Sequence, residues 1–325
     1  MDKMSKIREF FNEELPLVNA SLYRELAELN PLVREVAEHV LMAGGKRLRP
    51  MLTILSARCL GYDAEDVYPL ACSLELLHSA TLIHDDILDN ADVRRGRQTA
   101  HLIFGLHRTV LAGDALLALA NKIVARYDIP SMNYCVAEAI MNTAAGEVEE
   151  IAQLRRPRAD SDVYYEIIRM KTADLIRAAC CCGALLAGAD SSMLERAEGF
   201  GLNVGMAFQL VDDALDYDAD SNLLGKPLGG DLREGKMTLP LILYLKSLED
   251  GKSRELLEKI AADELGDEEM QQIIQNIQNM GLHLQVREEA GNYLDLAAQS
   301  LRLFPERKEK MLLEEIIEVV RSRKF

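Results

Sequence analysis

The chain has 325 residues, of which 49% are hydrophobic and 28% are charged, and its formal net charge is -16. Such an acidic chain is not expected to bind nucleic acid, because sequence-independent binders carry an excess of Lys and Arg. A phosphorylated ligand is not excluded, because local basic clusters and bound cations can reverse the field within one cavity. No stretch approaches the roughly 18 uninterrupted apolar residues that a membrane span requires.

The N-terminus and the cysteines predict a cytoplasmic protein. Residues 1–6 lead into a mixed polar stretch and lack the apolar region of a signal peptide. The cysteines follow neither a metal-binding spacing nor a plausible disulfide framework, so we expect buried, reduced thiols. They are Cys59, Cys72, Cys135, Cys180, Cys181 and Cys182.

Helical periodicity continues along almost the whole chain, and strand-like alternation is scarce. The predicted helices are 4–15, 18–28, 30–43, 48–60, 64–90, 99–105, 108–127, 132–153, 161–189, 191–219, 237–247, 252–263, 267–280, 282–302 and 307–323. Glycines and prolines punctuate the breaks, and no low-complexity linker divides the chain. The sequence therefore predicts an all-α fold with a single domain over residues 1–325.

The first notable motif along the chain is Gly-Gly-Lys-Arg-Leu-Arg-Pro at residues 44–50. A flexible glycine turn, the start of a helix and cationic side chains together suit a phosphate group. By itself, such a motif is more often a solvated surface loop.

Two acidic motifs lie inside apolar helical stretches, Asp-Asp-Ile-Leu-Asp at residues 85–89 and Asp-Asp-Ala-Leu-Asp at residues 212–216. On a helix the first and fifth residues lie on one face, about one turn apart, so each motif presents two carboxylates. Burying unpaired carboxylates is unfavourable, and magnesium takes oxygen ligands that substrate phosphates often complete. The pattern predicts two helices that face each other across a metal–diphosphate cluster.

Basic residues accompany both acidic motifs. Arg94 and Arg95 follow the first, and a glycine-rich loop with Lys226 and Lys236 follows the second. The arginines either neutralise nearby aspartates or serve two different phosphate groups, and the loop is either a connector or a lid. Lys171 lies in a helical run, where an ordinary exposed lysine is the simpler interpretation.

The histidines allow another interpretation. His84 directly precedes Asp85, and such a doublet is typical of helical metal phosphohydrolases, which also need distant histidine and aspartate ligands. His78 lies on a different face of the same helix, where a histidine is usually a core or surface residue.

In their chain order these motifs resemble those of the trans-isoprenyl diphosphate synthases, the polyprenyl synthetase family. The resemblance also rests on Gly-Asp at residues 113–114, on Lys171-Thr172, on Gln209 and on Gly-Lys-Met-Thr-Leu-Pro at residues 235–240. It implies an orthogonal bundle of helices around a central active-site cavity, usually assembled as a homodimer. It also implies that an allylic diphosphate and isopentenyl diphosphate condense head to tail, with release of diphosphate.

The same resemblance implies roles for individual residues. About three magnesium ions would be held against the allylic diphosphate by Asp85, Asp89, Asp212 and Asp216. The side chains that would neutralise this diphosphate as it leaves are Arg94, Lys171, Lys226 and Lys236. The side chains that would bind isopentenyl diphosphate without metal are Lys46, Arg49, His78 and Arg95. The oxygens of Thr172 and Gln209 would stabilise the allylic cation.

The residues before the first acidic motif are expected to line the pocket for the growing chain. Thr81 and Ala80 lie about one helical turn deeper than Asp85, and Leu77 lies deeper still. In this family a large aromatic residue at the first of these depths stops growth early. The small pair here indicates a long-chain product of about 30 to 45 carbons, at roughly 5 Å per helical turn and per isoprene unit. The alternative is a short product of about 15 or 20 carbons, if another side chain closes the pocket.

Other functions stay open from the residues alone. A terpene cyclase needs no second diphosphate pocket, so the set Lys46, Arg49 and Arg95 argues against it. A regulatory subunit of a two-protein synthase often lacks one acidic motif, whereas both are intact here; a catalytic subunit that requires a partner is compatible with the sequence. The basic C-terminus at residues 321–325 covers the active-site mouth, contacts anionic lipid at product release, or is a solvated helix end.

Overall fold

The computed structural model describes residues 5–218 and 228–323, and the contacts between Cα atoms divide the chain into two compact units. The first unit comprises the residues up to Ile140, Leu175–Glu198 and Leu303–Glu315. The second comprises Met141–Asp174, Gly199–Arg302 and the residues from Ile316 onward.

The regular structure of the described residues is almost entirely helical, which confirms the predicted all-α class. The helices are α1 Ser5–Leu26, α2 Pro31–Leu41, α3 Leu48–Cys59, α4 Val67–Leu88, α5 Ala100–Phe104, α6 Leu106–Ala125, α7 Pro130–Arg155, α8 Ser161–Ile168, α9 Asp174–Leu186, α10 Ser191–Leu215, α11 Gly230–Arg233, α12 Leu239–Ser247, α13 Asp250–Ala261, α14 Asp267–Asn279, α15 Leu282–Leu301 and α16 Lys308–Arg321. Within residues 5–218 and 228–323, none of these helices has the length and apolar character to cross a bilayer.

The first helix passes through a proline. The sequence predicts two helices, 4–15 and 18–28, but α1 is continuous across Pro16. Proline removes a backbone hydrogen bond and crowds the preceding turn. Packing offsets this penalty, because the buried residues on both sides of the proline share one helix face. They are Ile7, Phe10, Val18 and Leu22.

The predicted helix 161–189 is interrupted rather than continuous. Between α8 and α9 the backbone forms a π-helical segment at Arg169–Ala173. Such segments are rare and occur frequently at functional sites. This one contains Lys171 and Thr172.

The break after the first acidic motif is a short antiparallel hairpin. Strand β1 (Val93–Arg94) pairs with β2 (Arg97–Gln98), and Val93 lies opposite Gln98. Arg95 and Gly96 form the turn, with φ of 52° and 73°. Positive φ at both central residues is the geometry of a type I′ turn, which favours glycine.

Helix α4 carries many of the candidate site residues of the first unit, and it packs against α3 and α6. Most of its length is buried, but His78, Thr81 and Asp85 keep open surface. These three residues lie three or four positions apart, so they share one face of the helix.

Candidate active site

The first acidic motif occupies the C-terminal end of α4. Asp89 N donates a hydrogen bond to Asp85 O at 2.8 Å, so these two residues are one helical turn apart. Asp85 is half-buried and Asp89 is exposed, whereas Asp86 between them is buried. The second carboxylate of the motif is therefore turned into the protein.

Asp86 holds the hairpin that follows the motif. Its Oδ1 accepts a short hydrogen bond from Arg94 Nε, and its backbone O accepts one from Ala91 N at 2.9 Å. The buried Thr99 donates its hydroxyl to Ala91 O at 2.6 Å. Arg94, predicted to bind the allylic diphosphate, is thus held beside the motif by a carboxylate for which the motif pattern predicts no role.

Three of the four residues predicted to bind isopentenyl diphosphate lie together in the first unit: Arg49, His78 and Arg95. Arg49 and Arg95 both act on the His78 imidazole electrostatically. The fourth residue, Lys46, is exposed on the loop before α3.

Positive charge is concentrated around His78. Burial of the ring lowers its pKa well below the ordinary value, and repulsion from nearby guanidinium groups lowers it further. These groups are, from the largest effect down, Arg49, Arg95, Arg94 and Arg47. Arg49 Nε is buried without a hydrogen-bond partner. Burial lowers the pKa of Arg49 to about 10, with attraction from Glu75 opposing this shift and repulsion from Arg95 adding to it. The cluster suits a polyanion.

Arg47 maintains the shape of the loop that carries these cations. It is buried in the left-handed conformation, with φ of 49°. Its guanidinium donates to Glu75 Oε1 and to Leu41 O, both at 2.5 Å. The sequence pattern does not identify Arg47, but Glu75 was a usable signal, because a single acid in an apolar stretch of helix needs a cationic partner.

The loop and the hairpin meet at Gly44 and Gly45. Arg95 Nη1 donates a short hydrogen bond to Gly44 O. A Cβ at Gly45 would lie 2.8 Å from the same nitrogen. Glycine at this position therefore permits the contact that brings Arg95 to the loop.

The second acidic motif lies at the end of α10, in the second unit. Asp212 Oδ1 forms an ion pair of 2.7 Å with Arg323. The two oxygens of the Asp216 carboxylate accept hydrogen bonds from Gly230 N and Asp231 N, each at 3.0 Å. The two carboxylates predicted to bind magnesium thus have partners from the protein.

The partner of Asp212 is itself held in place. Arg323 Cζ lies 4.7 Å from the centroid of the Phe208 ring, and Arg323 O accepts a hydrogen bond from Arg287 Nη2 at 2.8 Å. Among the roles open to the basic C-terminus, this contact favours a cover over the acidic motif. Residues 324–325 lie outside the described residues.

Asp213, the counterpart of Asp86, is also buried. Its Oδ2 accepts a hydrogen bond from Tyr164 OH at 2.5 Å, and its Oδ1 accepts one from Gln209 Nε2 at 2.7 Å. Gln209 Oε1 accepts a hydrogen bond from Thr172 Oγ1 at 2.8 Å. The structure therefore brings Thr172 and Gln209 together, and the chain of hydrogen bonds fixes the orientation of the Gln209 amide.

Asp231 is a further acid near the second motif that the motif pattern does not identify. Burial, followed by repulsion from Asp213 and Asp216, raises the pKa of Asp231 to about 8. Burial also raises the pKa of Asp213 to about 7, against the hydrogen bonds from Tyr164 and Gln209. The sequence signal for Asp231 is its position in the glycine-rich stretch that follows the second acidic motif.

Lys171, in the π-helical segment, lies between two acids of α7. Its Nζ is 2.7 Å from Glu147 Oε2 and forms a shorter ion pair with Glu150. Burial lowers the pKa of Lys171, but Glu150 and Glu147 outweigh burial and raise it above the ordinary value. The cluster of acids at residues 147–150 was the sequence signal for this pairing.

Two glycines allow neighbouring helices to approach the π-helical segment closely. A Cβ at Gly146 of α7 would lie 2.9 Å from Lys171 N. A Cβ at Gly205 of α10 would lie 2.6 Å from Ala173 Cα. Both distances are too short for a side chain, so the segment depends on these glycines.

The two lysines of the glycine-rich loop are described unequally. Lys226 lies outside the described residues. Lys236 Nζ is 2.6 Å from Glu234 Oε2, and Lys236 N donates to Asp231 O at 2.8 Å. Lys236 therefore lies in the second unit near the acids that follow the second motif.

The residues predicted to line the chain-length pocket occupy consecutive turns of α4. Leu77 and Ala80 are fully buried, whereas Thr81 is half-buried. Thr81 Oγ1 donates to His78 O at 2.9 Å. Thr81 is therefore the member of this set with open surface, between His78 and Asp85 on one helix face.

His84 packs against α6. Its Nε2 is 3.2 Å from Val110 O and 3.7 Å from Asp114 Oδ1. A Cβ at Gly113 would lie 2.3 Å from the same nitrogen, which explains the glycine of the Gly-Asp pair. Because the His84 ring contacts α6, the side chains left to bind a metal ion at this end of α4 are carboxylates.

The donor groups at both acidic motifs fit magnesium. They are carboxylate oxygens, the hard ligands that magnesium and calcium prefer, whereas thiolate and imidazole ligands favour zinc and other softer ions.

A family model described as Polyprenyl synthetase matches residues 30–277. The chain belongs to the polyprenyl synthetase family. It is 35% identical over 269 residues to octaprenyl diphosphate synthase of Escherichia coli strain K12, which covers 79% of this chain and 83% of the relative. It is 31% identical over 323 residues to heptaprenyl diphosphate synthase component 2 of Bacillus subtilis strain 168, covering 99% and 92% of the two chains.

A solved member of the family has a closely similar fold. The polyprenyl synthase of Caulobacter crescentus CB15, complexed with calcium and isoprenyl diphosphate, superposes with a TM-score of 0.89 at 35% identity. The match covers 98% of this chain and 97% of the other. This polyprenyl synthetase family member is therefore a prenyltransferase with the all-α fold of the isoprenyl synthases.

Proposed function

We propose that the protein condenses isopentenyl diphosphate with an allylic diphosphate to make an all-trans polyprenyl diphosphate of about 30 to 45 carbons. The observation that carries this proposal is the pair of charged sites on α4. Asp85 and Asp89 form a carboxylate site at its end, and His78 lies in a basic cluster seven residues before Asp85. At 1.5 Å per residue, the two sites are about 10 Å apart along the helix. Two separate sites, one metal-binding and one basic, suit two diphosphates.

The metal ligands of the proposal are Asp85, Asp89, Asp212 and Asp216, which hold about three magnesium ions. When bound, these ions act as Lewis acids toward the leaving diphosphate. Calcium in the Caulobacter crescentus structure belongs to the same oxygen-preferring class of cation. Asp231 adds a carboxylate beside Asp216.

The protein's own cations neutralise the allylic diphosphate as its carbon–oxygen bond breaks. In this proposal they are Arg94, Lys171, Lys226 and Lys236. Asp86 orients Arg94, and Glu147 and Glu150 keep Lys171 protonated, so both cations are preorganised before substrate binds.

Thr172 and Gln209 stabilise the allylic cation through the negative ends of their dipoles. Because Asp213 fixes the Gln209 amide, its Oε1 needs little reorganisation when the cation forms. A water-poor cavity would protect the cation, which water would otherwise capture.

Isopentenyl diphosphate binds at the basic cluster, through Lys46, Arg49, His78 and Arg95. The support is the buried Nε of Arg49 that lacks a hydrogen-bond partner and the neutral His78 among arginines. A diphosphate would complete the hydrogen bonds of the arginines and offset their mutual repulsion.

The long-chain product follows from small residues on α4. In this proposal the open surface of Thr81 faces the growing chain; Ala80 and Leu77 are buried on the same helix. The alternative is a short product of about 15 or 20 carbons, if a side chain elsewhere closes the pocket.

The proposal places the protein in the cytoplasm, as one catalytic domain that assembles as a homodimer. The support for a dimer is a heptad-spaced stripe of exposed apolar residues on α7. Tyr134, Met141 and Val148 are 70%, 65% and 67% exposed and lie seven residues apart. The alternative is that a different subunit covers this stripe, as the name of the relative called component 2 of a heptaprenyl diphosphate synthase suggests. The basic C-terminus would make any contact with a membrane surface peripheral.

The proposed function is tested by incubating the purified protein with labelled isopentenyl diphosphate, magnesium and each allylic primer in turn, and measuring dephosphorylated products. We expect a ladder that ends above about 30 carbons. A product of 15 or 20 carbons would support synthase activity but contradict a pocket that is open to long chains. The absence of elongation by well-folded protein would indicate a subunit that needs a partner.

A matched pair of variants tests the metal ligands in the same assay. Asp85→Asn with Asp89→Asn is expected to abolish elongation, because the amides bind magnesium poorly. Asp92→Asn, at an exposed acid outside the motif, is expected to leave elongation unchanged. Equal activity of the two variants would reject the metal assignment.

A further inference from the structure

Three cysteines and an arginine converge in the first unit, and none of them is among the residues proposed for catalysis. Cys135 lies on α7, and Cys181 and Cys182 lie on α9; they are 5%, 2% and 0% exposed. The sulfurs of Cys135 and Cys181 and a carboxylate oxygen of Glu198 lie within 4.8 Å of one another. This cluster has no role in the proposed function.

Arg177 brings a guanidinium group to this cluster. Arg177 Nη1 is 3.1 Å from Glu198 Oε1, and Arg177 Nη2 is 2.8 Å from Glu138 Oε2. The Arg177 side chain also hydrogen-bonds to Cys135. A metal ion would have to compete with this resident positive charge for Glu198, so the arrangement favours an anionic sulfur over a metal site.

The contact with Arg177 favours Cys135 as the anionic sulfur of the three. Hydrogen bonds from Cys181 and Cys182 lower the pKa of Cys135, against the effect of burial, and Arg177 lowers it further. The pKa values of Cys181 and Cys182 are raised by the same interaction with Cys135. A thiolate beside a guanidinium is the reactive form of cysteine, and the two flanking thiols are its hydrogen-bond donors.

We propose that Cys135 is a peroxide-reactive cysteine and that it forms a reversible disulfide with Cys181. In the first step the Cys135 thiolate attacks hydrogen peroxide; a sulfur–oxygen bond forms, the oxygen–oxygen bond breaks, and hydroxide leaves. In the second step the Cys181 sulfur attacks the sulfenic acid; the sulfur–sulfur bond forms and the sulfur–oxygen bond breaks. The thiol proton of Cys181 leaves with the oxygen as water. Two thiols and one peroxide give one disulfide and two waters.

The other cysteines provide internal contrasts. Burial raises the pKa of Cys72 and of Cys180 to about 12. Cys72 Sγ donates to Val18 O at 3.4 Å, in a purely structural contact. These sulfurs remain protonated, so we expect peroxide to discriminate strongly between them and Cys135.

The test exposes the reduced full-length protein to hydrogen peroxide, blocks remaining thiols with iodoacetamide, and maps peptides by mass spectrometry without reductant. We expect a peptide in which Cys135 is joined to Cys181 and which dithiothreitol separates. Cys135→Ser is expected to lose peroxide-dependent thiol oxidation at least about tenfold, whereas Cys72→Ser is expected to retain it. Circular dichroism of each variant establishes that it is folded.

Two further variants assign the partner. With Cys181→Ser, dimedone is expected to label Cys135 as a persistent sulfenic acid; with Cys182→Ser, the disulfide is expected to form as in the wild type. A disulfide that persists in Cys181→Ser, oxidation equally distributed over the cysteines, or one equivalent of zinc bound to the purified protein would overturn the proposal. None of these readouts depends on prenyl transfer, so the result is independent of the proposed function.

Discussion

His78 is an uncharged imidazole among guanidinium groups. Its protonation would add a further positive charge to a partly buried basic cluster, so the native state disfavours it. The unfolded chain has no such restriction, and there the ring titrates at its ordinary value near pH 6.5. Below this pH the unfolded state binds one more proton than the native state.

His78→Gln is therefore expected to weaken the acid sensitivity of the fold. As pH falls below about 6.5, the wild type should lose about 1.4 kcal/mol of unfolding free energy per pH unit relative to the variant. Urea denaturation between pH 7 and pH 5 measures the difference. His107→Gln, at an exposed position, serves as the control. Parallel curves for wild type and His78→Gln would show that His78 binds its proton over the same pH range in the native and unfolded states.

The chain-length pocket is tested best at Thr81. Thr81→Phe places an aromatic ring on open surface of α4 and is expected to shorten the product by at least one isoprene unit. Ala80→Phe is expected to shorten it as well, but at a stability cost of about 1–3 kcal/mol, because Ala80 is fully buried. Product analysis by chain length distinguishes the two, with Thr81→Ser as the control of similar size. An unchanged ladder for Thr81→Phe would place the pocket elsewhere.

Arg323 is expected to compete with metal for Asp212. Removing this cation in Arg323→Gln should tighten manganese or magnesium binding in the absence of diphosphate by about three- to tenfold, the scale of a partly exposed ion pair. Calorimetric or electron-spin titration measures the change. Arg321→Gln is the matched control, because Arg321 pairs with Asp295 instead. An unaltered affinity would mean that the Arg323 pair does not control metal access.

At the scale of single residues, the outward-facing carboxylates could be predicted and their inward-facing neighbours could not. Spacing alone places Asp85 and Asp89 on one face of a helix. The burial of Asp213 depends on Tyr164, which is 49 residues away in sequence. A motif carries no information about such partners, because they are brought close by packing.

The π-helical segment shows how neighbouring helices shape an element that carries two residues of the proposed site. Local sequence at residues 161–189 favours one helix, and periodicity has no feature that marks the interruption. The close approach of α7 and α10 at Gly146 and Gly205 accompanies it. Tertiary packing also overrides local sequence in α1, which continues through Pro16. The helical class was therefore predictable, whereas the π-helical interruption after α8 and the continuity of α1 across Pro16 were not.

Gly205→Ala is expected to damage this element. Its methyl group would lie 2.6 Å from Ala173 Cα, so the backbone of the segment must move. We expect a loss of about 2 kcal/mol or more in unfolding free energy and a fall in kcat, because Thr172 and Lys171 would shift. Gly291→Ala in α15 is the control; its Cβ would make an ordinary contact of 3.5 Å, and helix propensity should stabilise it by about 0.5–1 kcal/mol. Denaturation and steady-state kinetics measure both effects. Equal behaviour of the two variants would argue against the close approach of Gly205 to Ala173.

At the scale of the whole molecule, an acidic protein binds two anionic substrates. The net charge of -16 repels diphosphates at long range, and salt screens this repulsion beyond about 8–10 Å. In the proposed function, binding then depends on short-range features: the arginine cluster around His78 and divalent cations held by the acidic motifs. The composition predicts that nucleic acid is not a partner, whereas only the motifs indicate where the charge is locally reversed.

Assembly as the proposed homodimer is expected to depend on the exposed face of α7. Met141→Glu introduces a charge into the apolar stripe with Tyr134 and Val148, and desolvating that charge at an interface is unfavourable. We expect the wild type to have twice the 36.3 kDa mass of one chain in light scattering, and the variant to dissociate to one chain at micromolar concentration. Leu284→Glu, at an exposed apolar residue on α15, is expected to remain dimeric. If the wild type is monomeric and elongates only after another subunit is added, the stripe binds that subunit; if Met141→Glu stays dimeric, the interface lies on another face.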